Sequence, residues 1–169
     1  NTDAIQRLYI QCGMSHFYPA NIMASHVSAS PNHQTGRVVP LKFRFDVAMT
    51  GRLGMEMKPS DLTDKEKVFA RNAIETYKNI RPVIQQGDLY RLVTPYEEKP
   101  YVSMIYCTPE KDRAVFFLFR RNYLKDTWED PRKMAGLDPD RNYLIREINA
   151  LNPEKKINID GKIVSGRFL

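Results

Sequence analysis

The hydrophobic period of this sequence changes once, close to Gln86, and that change limits the folds open to the chain. Before Gln86, segments with apolar residues at helical spacing alternate with short strand-like segments, a pattern typical of α/β structure. After it, only strand-like segments and turns rich in Pro, Asp and Gly follow. The sequence therefore predicts an α/β unit over residues 1–86 and an all-β, antiparallel unit over residues 87–169, for which we expect a β-sandwich.

Within the first unit the pattern predicts three helices and two strands. In chain order they are a helix capped by Asp3, a strand over 22–24, a helix from Pro40 to Gly51, a strand over 52–57 and a helix from Thr63 to Arg81. The last helix opens with a capping box, Thr63 and Glu66. We expect it to end at Arg81, because a proline disfavours helical geometry in the residue before it.

Strand-like segments make up the second unit. They cover 89–93, 101–107, 114–120 and 143–148, and an Asp-Gly turn at Asp160 predicts a hairpin over 157–164.

Composition excludes several classes of protein. The chain of 169 residues carries a net charge of +6, but Lys and Arg are mixed with Asp and Glu along its length, which is typical of a solvated surface. We therefore expect no nucleic-acid partner, and no apolar run long enough for a membrane span is present.

Two cysteines, Cys12 and Cys107, are too few for a disulfide framework. They do not indicate whether the protein is found in an oxidising or a reducing compartment.

One dense polar run, residues 25–37, follows the predicted strand over 22–24 and is called the polar segment below. In α/β folds the chemistry lies where strands end, so this segment is the candidate site. Its Ser, Asn, Gln, Thr and His side chains match the hydroxyl groups of a small polar ligand such as a sugar. His26 and His33 do not have a zinc-ligand spacing, so no metal site is predicted.

Catalytic groups cannot be assigned from the residues alone. No nucleophile elbow is present. A glycosidase needs two carboxyl groups, but Asp3 is expected to cap its helix, Asp46 to pair with Arg44 or Arg52, and Glu56 to lie on the polar face of its strand. The residues therefore define no catalytic pair.

Five stretches of the sequence resemble the α-galactosidases of glycoside hydrolase family 36. They are residues 1–8, 26–37, 46–56, 77–82 and 86–92, and the run His-Val-Ser…Pro-Asn-His-Gln within 26–34 is the most specific. The resemblance implies the last strands and helices of a (β/α)8 barrel followed by an antiparallel β-sandwich. It also implies a retaining enzyme that hydrolyses terminal α-linked galactose from oligosaccharides, without a metal or organic cofactor.

The resemblance also implies where the catalytic groups are. The family's nucleophile lies on an earlier barrel strand, and its acid/base falls one residue before Asn1, in a Ser-Asp-x-Thr-Asp pattern whose second Asp is Asp3. We therefore expect a fragment with no catalytic residue of its own. The substrate-binding candidates are His26, Ser28 and Asn32, with bracing of the barrel rim as the alternative role of the polar segment.

Expected partners follow from the same resemblance. They are α-galactoside oligosaccharides and, in the parent enzyme, further copies of the same chain. Because a partial barrel leaves sheet edges and apolar helix faces uncovered, we expect the isolated chain to oligomerise or to rearrange its barrel portion. The alternative function is a non-catalytic β-sandwich that binds carbohydrate, with Trp128 as the exposed aromatic residue, or that binds a neighbouring subunit.

Overall fold

The computed structural model describes residues 2–121, 133–152 and 154–169, and the chain forms two compact units, Asn1–Gln86 and Gly87–Leu169. The first unit contains, in order, α1 (Ala4–Met14), β1 (Ala24–Ser28), α2 (Leu41–Met49), β2 (Arg52–Glu56) and α3 (Asp64–Gln86). Strands β1 and β2 pair in parallel, with His26 opposite Gly54 and Ser28 opposite Glu56. Short 3-10 turns cover Ala20–Ile22 and Pro59–Asp61. This α/β organisation agrees with the sequence pattern.

Two of the helices begin as their capping residues predict. The Asp3 carboxylate accepts a hydrogen bond from the backbone N–H of Gln6 at 3.0 Å, so Asp3 is the N-cap of α1. In α3, Glu66 Oε2 accepts from the Thr63 N–H at 2.9 Å, and Thr63 Oγ1 accepts from the Glu66 N–H at 3.3 Å. This reciprocal pair is the predicted capping box.

The first predicted strand is wrong in position. Residues Ala20–Ile22 form a 3-10 turn, Ile22 is 57% exposed, and the strand begins only at Ala24. It therefore runs through Ser25, His26 and Ser28, which the sequence assigned to a loop. The core-facing positions of this strand are Val27 and Ser25, both fully buried. Because the buried position 25 is a serine, β1 lacks the alternation of apolar and polar residues by which a strand is recognised in a sequence.

Helix α3 passes through Pro82 and ends at Gln86, so the predicted end at Arg81 is wrong. A proline inside a helix costs about 3 kcal/mol, because it removes one hydrogen bond and crowds the preceding turn. Val83 and Ile84 follow Pro82, and each is only 1% exposed. Burying two such side chains contributes about 3–6 kcal/mol, which offsets the cost of the proline.

The side chain of Gln11 joins three elements of the first unit. Its Nε2 donates to the Val47 carbonyl at 2.9 Å and to Thr50 Oγ1 at 2.5 Å, both at the end of α2. Its Oε1 accepts from Ser25 Oγ in β1 at 2.6 Å and from Arg7 Nε at 3.1 Å. Every donor and acceptor of this buried amide is therefore used, and α1, β1 and α2 share one hydrogen-bond centre.

The second unit contains antiparallel sheets. Strands β3 (Asp88–Val93), β4 (Tyr101–Cys107) and β5 (Ala114–Arg120) form a three-stranded sheet with β4 in the middle. Every residue of β4 is buried, whereas β5 alternates between buried and exposed positions. Strands β6 (Asn142–Leu144) and β7 (Ile163–Ser165) form a separate antiparallel pair.

The predicted hairpin over 157–164 is wrong, and the predicted strand over 143–148 is shorter than expected. The Asp160 carboxylate accepts from the Glu147 N–H at 2.7 Å, and the Gly161 N–H donates to the Ile145 carbonyl at 2.8 Å. These bonds fold the Asp-Gly turn back onto residues 145–147. Strand β7 consequently pairs with β6 and not with residues 157–159.

Three other expectations concern single features of the chain. Trp128 lies outside the described residues. Cys12 and Cys107 are free, buried cysteines. Among the helices of the described ranges, none combines the length and the apolarity that crossing a bilayer requires.

Replacing Gln11 by Met tests whether the shared hydrogen-bond centre stabilises the first unit. Gln11→Met keeps the length of the side chain but removes four hydrogen bonds and leaves the buried Ser25 hydroxyl without its acceptor, so the free energy of unfolding should fall by about 3 kcal/mol. Urea unfolding followed by circular dichroism measures this change. The control is Gln86→Met, at an exposed position of α3, which should change the same quantity by less than about 0.5 kcal/mol. Equal effects of the two substitutions would contradict the role of Gln11.

Candidate functional site

The carboxyl ends of β1 and β2 present a polar surface built around His26. Because strand side chains alternate between faces, His26 and Ser28 project from the same face of β1. His26 Nδ1 lies 3.6 Å from Glu56 Oε2, and the side chains of His26 and Glu56 are 45% and 62% exposed. The ring fits above the neighbouring strand because residue 54 is glycine: a Cβ there would lie 2.5 Å from His26 Cδ2. The surface therefore offers an imidazole and a carboxylate to a ligand.

Ser28 carries a buried hydroxyl group that is not used inside the chain. The residue is 4% exposed, and its Oγ has no hydrogen-bond partner among the described residues. A buried hydroxyl without a partner destabilises the folded state, so such groups call for an explanation. Its place, opposite Glu56 at the end of a parallel strand pair, fits a hydrogen bond to a ligand hydroxyl.

Arg44 holds the backbone around Ser28. Its Nη1 donates to the Ser28 carbonyl at 2.5 Å, and its Nε donates to the Val39 carbonyl at 3.1 Å. The guanidinium is buried, and burial lowers the pKa of Arg44 from its ordinary value, with the Glu66 carboxylate acting in the opposite direction. One buried cation thus fixes both the end of β1 and the chain that enters α2.

Asn32 is buried within the polar segment and organises its turn. Its Oδ1 accepts from the N–H groups of Gln34 at 3.0 Å and Thr35 at 3.1 Å, and its Nδ2 donates to Thr2 Oγ1 at 2.8 Å. The Gly36 N–H closes the turn on the Asn32 carbonyl at 2.8 Å. Gly36 has a φ of 67°, which favours glycine. The Asn32 side chain is thus hydrogen-bonded to its own loop and to the start of the chain.

A second contact joins the polar segment to Asp3. Thr35 Oγ1 donates to Asp3 Oδ2 at 2.7 Å, and Arg37 Nη1 lies 2.6 Å from Asp3 Oδ1. Burial by itself would raise the pKa of Asp3. The hydrogen bonds from Thr35 and Gln6 and the positive charge of Arg37 outweigh that effect, so the pKa of Asp3 is lowered from its ordinary value of 3.8. Asp3 is therefore a buried, charged group with structural partners on two sides.

The other described carboxylates and the histidines are dispersed or paired with cations. Asp46 pairs with Lys42, four residues earlier on α2, at 2.5 Å, whereas Arg44 binds backbone carbonyls. Within the described ranges, no three or more His, Cys, Asp or Glu side chains gather where they could hold a metal ion.

Sequence reasoning missed the contact between Asp3 and the pair Thr35 and Arg37. It identified Asp3 as a helix cap and the polar segment as a candidate site, but it did not connect them. A single sequence contains no signal for a contact over more than thirty positions.

Comparison with known proteins gives matches over most of the chain. The melibiase family model matches residues 1–87. The chain is 38% identical over 145 residues to the α-galactosidase AgaA of Geobacillus stearothermophilus, covering 86% of this chain and 20% of that protein. It is 40% identical over 144 residues to the bifunctional α-galactosidase/sucrose kinase AgaSK of Mediterraneibacter gnavus, covering 85% of this chain and 15% of that protein. The chain thus spans about a fifth of the length of these relatives, or less.

Solved structures agree with these matches. The crystal structure of AgaA in complex with raffinose, a glycoside hydrolase family 36 α-galactosidase, superposes with a TM-score of 0.85 at 35% identity, over 99% of this chain and 21% of that one. The galactosidase domain of AgaSK superposes with a TM-score of 0.86 at 36% identity, over the same shares of the two chains. With the family model matching half of the sequence and the fold matching nearly all of it, the chain belongs to the melibiase family, that of the family 36 α-galactosidases.

Proposed function

We propose that this chain is the last part of the catalytic barrel and the following antiparallel domain of a retaining α-galactosidase. The enzyme hydrolyses terminal α-linked galactose from oligosaccharides. The observation that carries the proposal is the grouping of the exposed His26 and Glu56 side chains with the buried Ser28 hydroxyl at the carboxyl ends of two parallel strands, in a chain of the melibiase family. In barrel enzymes the active site lies at those strand ends.

The architecture supports the barrel and sandwich parts of the proposal. Strands β1 and β2 are parallel, with α2 between them in the chain and α3 after β2, as consecutive units of a (β/α)8 barrel would be. The sheets of the second unit are antiparallel, as the layers of a sandwich would be. The substrate class is supported by relatives, since AgaA was solved in complex with raffinose and with stachyose.

The substrate-side residues have different roles in this proposal. His26 and Ser28 face the ligand: the imidazole can donate or accept a hydrogen bond, and the unpartnered Ser28 hydroxyl can do either with a sugar hydroxyl. Asn32 does not contact the sugar directly in this proposal, because its amide is already bonded to Thr2, Gln34 and Thr35. It holds the polar segment in the shape that the pocket needs.

The two catalytic carboxyl groups belong to parts of the enzyme outside this chain. The acid/base, placed by the family resemblance on the residue before Asn1, donates its proton to the glycosidic oxygen. That oxygen leaves C1 with the electron pair of the broken bond, while the nucleophile carboxylate bonds to C1. In the second step the same acid/base removes a proton from water, whose oxygen bonds to C1 and displaces the nucleophile. The residues of this chain bind and orient the sugar.

Hydrolysis of a chromogenic α-galactoside by the full-length protein that contains this chain tests the proposal. We expect release of the chromophore and of galactose with retained configuration, measured by absorbance and by NMR of the first product. The 169-residue chain alone is the matched control and should release none. A folded full-length protein that cleaves other α-glycosides and leaves the α-galactoside intact would overturn the assignment.

Two buried serines of β1 provide an internal comparison for the role of Ser28. Ser25→Ala removes the hydrogen bond to Gln11 and should lower the free energy of unfolding of the chain by about 1–2 kcal/mol. Ser28→Ala removes a buried hydroxyl that has no partner among the described residues, so it should raise that quantity by about 1 kcal/mol.

For substrate binding we expect the larger effect from Ser28→Ala and the smaller effect from Ser25→Ala. In the full-length protein Ser28→Ala should raise the KM for melibiose about tenfold, since one hydrogen bond to the sugar contributes about 1.4 kcal/mol. Urea unfolding and steady-state kinetics measure the two properties. A Ser28→Ala enzyme with unchanged KM would remove Ser28 from the binding site.

A further inference from the structure

We propose that Asp3, Thr35 and Arg37 are positioning residues for the acid/base carboxyl group, because they fix the chain at Asp3, three residues after it. The inference rests on the proposed function, in which the acid/base is the residue before Asn1. It assigns to the polar segment a task besides contact with the sugar: its second half, residues 32–37, holds Thr2 and Asp3, which follow the proton donor in the chain.

Three side-chain contacts connect residues 32–37 to residues 2 and 3. Asn32 Nδ2 donates to Thr2 Oγ1 at 2.8 Å, Thr35 Oγ1 donates to Asp3 Oδ2 at 2.7 Å, and Arg37 Nη1 lies 2.6 Å from Asp3 Oδ1. The Asp3 side chain is fully buried, while that of Arg37 is 42% exposed. Both carboxylate oxygens of Asp3 are thus occupied, so rotation of this side chain would break two charge-assisted bonds.

Both partners in this contact are themselves fixed. On one side, Asn32 closes the turn through the N–H groups of Gln34, Thr35 and Gly36. On the other side, Asp3 is the N-cap of α1, and α1 is tied to β1 by the bond from Arg7 Nη2 to the Ala24 carbonyl at 2.7 Å. Residue 3 is therefore held from the helix and from the polar segment at the same time.

The short distance along the chain makes this fixation relevant to catalysis. The residue before Asn1 is three positions from Asp3, so at most about 10 Å of backbone separates their Cα atoms. A displacement of a catalytic group by about 1 Å can lower the rate about 100-fold. Because the pKa of Asp3 is lowered, its carboxylate stays charged at pH values below its ordinary pKa of 3.8, and the contact with Arg37 is lost only as the pH falls through that lowered pKa.

The test uses the full-length protein and two substrates that differ in their need for a proton donor. Melibiose has a sugar alcohol as its leaving group and needs protonation, whereas 2,4-dinitrophenyl α-galactoside has a leaving group that departs without it. Thr35→Val and Arg37→Met remove one contact each. Arg37→Lys retains the charge, and Arg71→Met at an exposed position of α3 is the matched control. Thermal unfolding identifies the variants that fold.

We expect kcat/KM for melibiose to fall between about 10-fold and 100-fold in Thr35→Val and Arg37→Met, and by less in Arg37→Lys. For the dinitrophenyl substrate kcat/KM should change by less than about threefold, since that quantity reports the first step. Added azide, which attacks C1 without a general base, should raise the kcat of these variants on that substrate. Arg71→Met should behave as the unsubstituted enzyme.

Two results overturn the inference without touching the proposed function: equal losses on both substrates, or no loss on either one, with the unsubstituted enzyme active. If Arg37→Met does not fold, Thr35→Val and Arg37→Lys decide the question by the same ratio of losses. An unsubstituted enzyme that hydrolyses neither substrate refutes the proposed function, and the positioning role with it.

Discussion

The amide of Gln11 is the interaction on which the first unit depends. It bonds to the end of α2 through its nitrogen and to Ser25 of β1 through its oxygen, so a single side chain fixes the relative placement of α1, α2 and β1. Apolar packing alone would allow these elements to slide, because dispersion forces have little directionality. A buried amide with all its bonds satisfied excludes such shifts, since any of them would leave a polar atom without a partner.

Two arginine side chains that bind backbone carbonyl groups fix β1, the strand that carries the candidate site. Arg7 binds the carbonyl at the start of β1, and Arg44 binds the carbonyl at its end. Burial lowers the pKa of both guanidinium groups, but an arginine keeps its charge at any physiological pH. The strand that carries His26 and Ser28 is therefore held at both ends by charge-assisted bonds.

Much of the fold could be predicted because local rules govern it. The capping box of Thr63 and Glu66, the Asp3 cap and the alternation in β5 act within a few residues, and a single sequence displays them directly. The errors arise where distant contacts decide the outcome. Pro82 stays helical because Val83 and Ile84 are buried, and β1 contains a buried serine, Ser25, whose hydroxyl donates to Gln11.

The candidate site also has features that the sequence predicts and features that it does not predict. Its location at strand ends, and the concentration of polar residues there, follow from the sequence. The link from Asp3 to Thr35 and Arg37 does not, because it joins positions more than thirty residues apart. The turn at Asp160 is a further case: a local Asp-Gly signal is correct, but bonds to residues 145–147 decide what the turn connects.

The manner in which Arg44 anchors the polar segment affects how freely that segment can change. Arg44 donates hydrogen bonds to the backbone carbonyl oxygens of Ser28 and Val39. Every amino acid has such an oxygen, so these bonds do not depend on the side chains at the two positions. Between these anchors, His33, Gln34 and Val38 point into solvent. Drift or directed mutagenesis at those three positions can therefore vary the exposed side chains of the polar segment while the loop keeps its path. Sequence change at these positions therefore has little cost to folding.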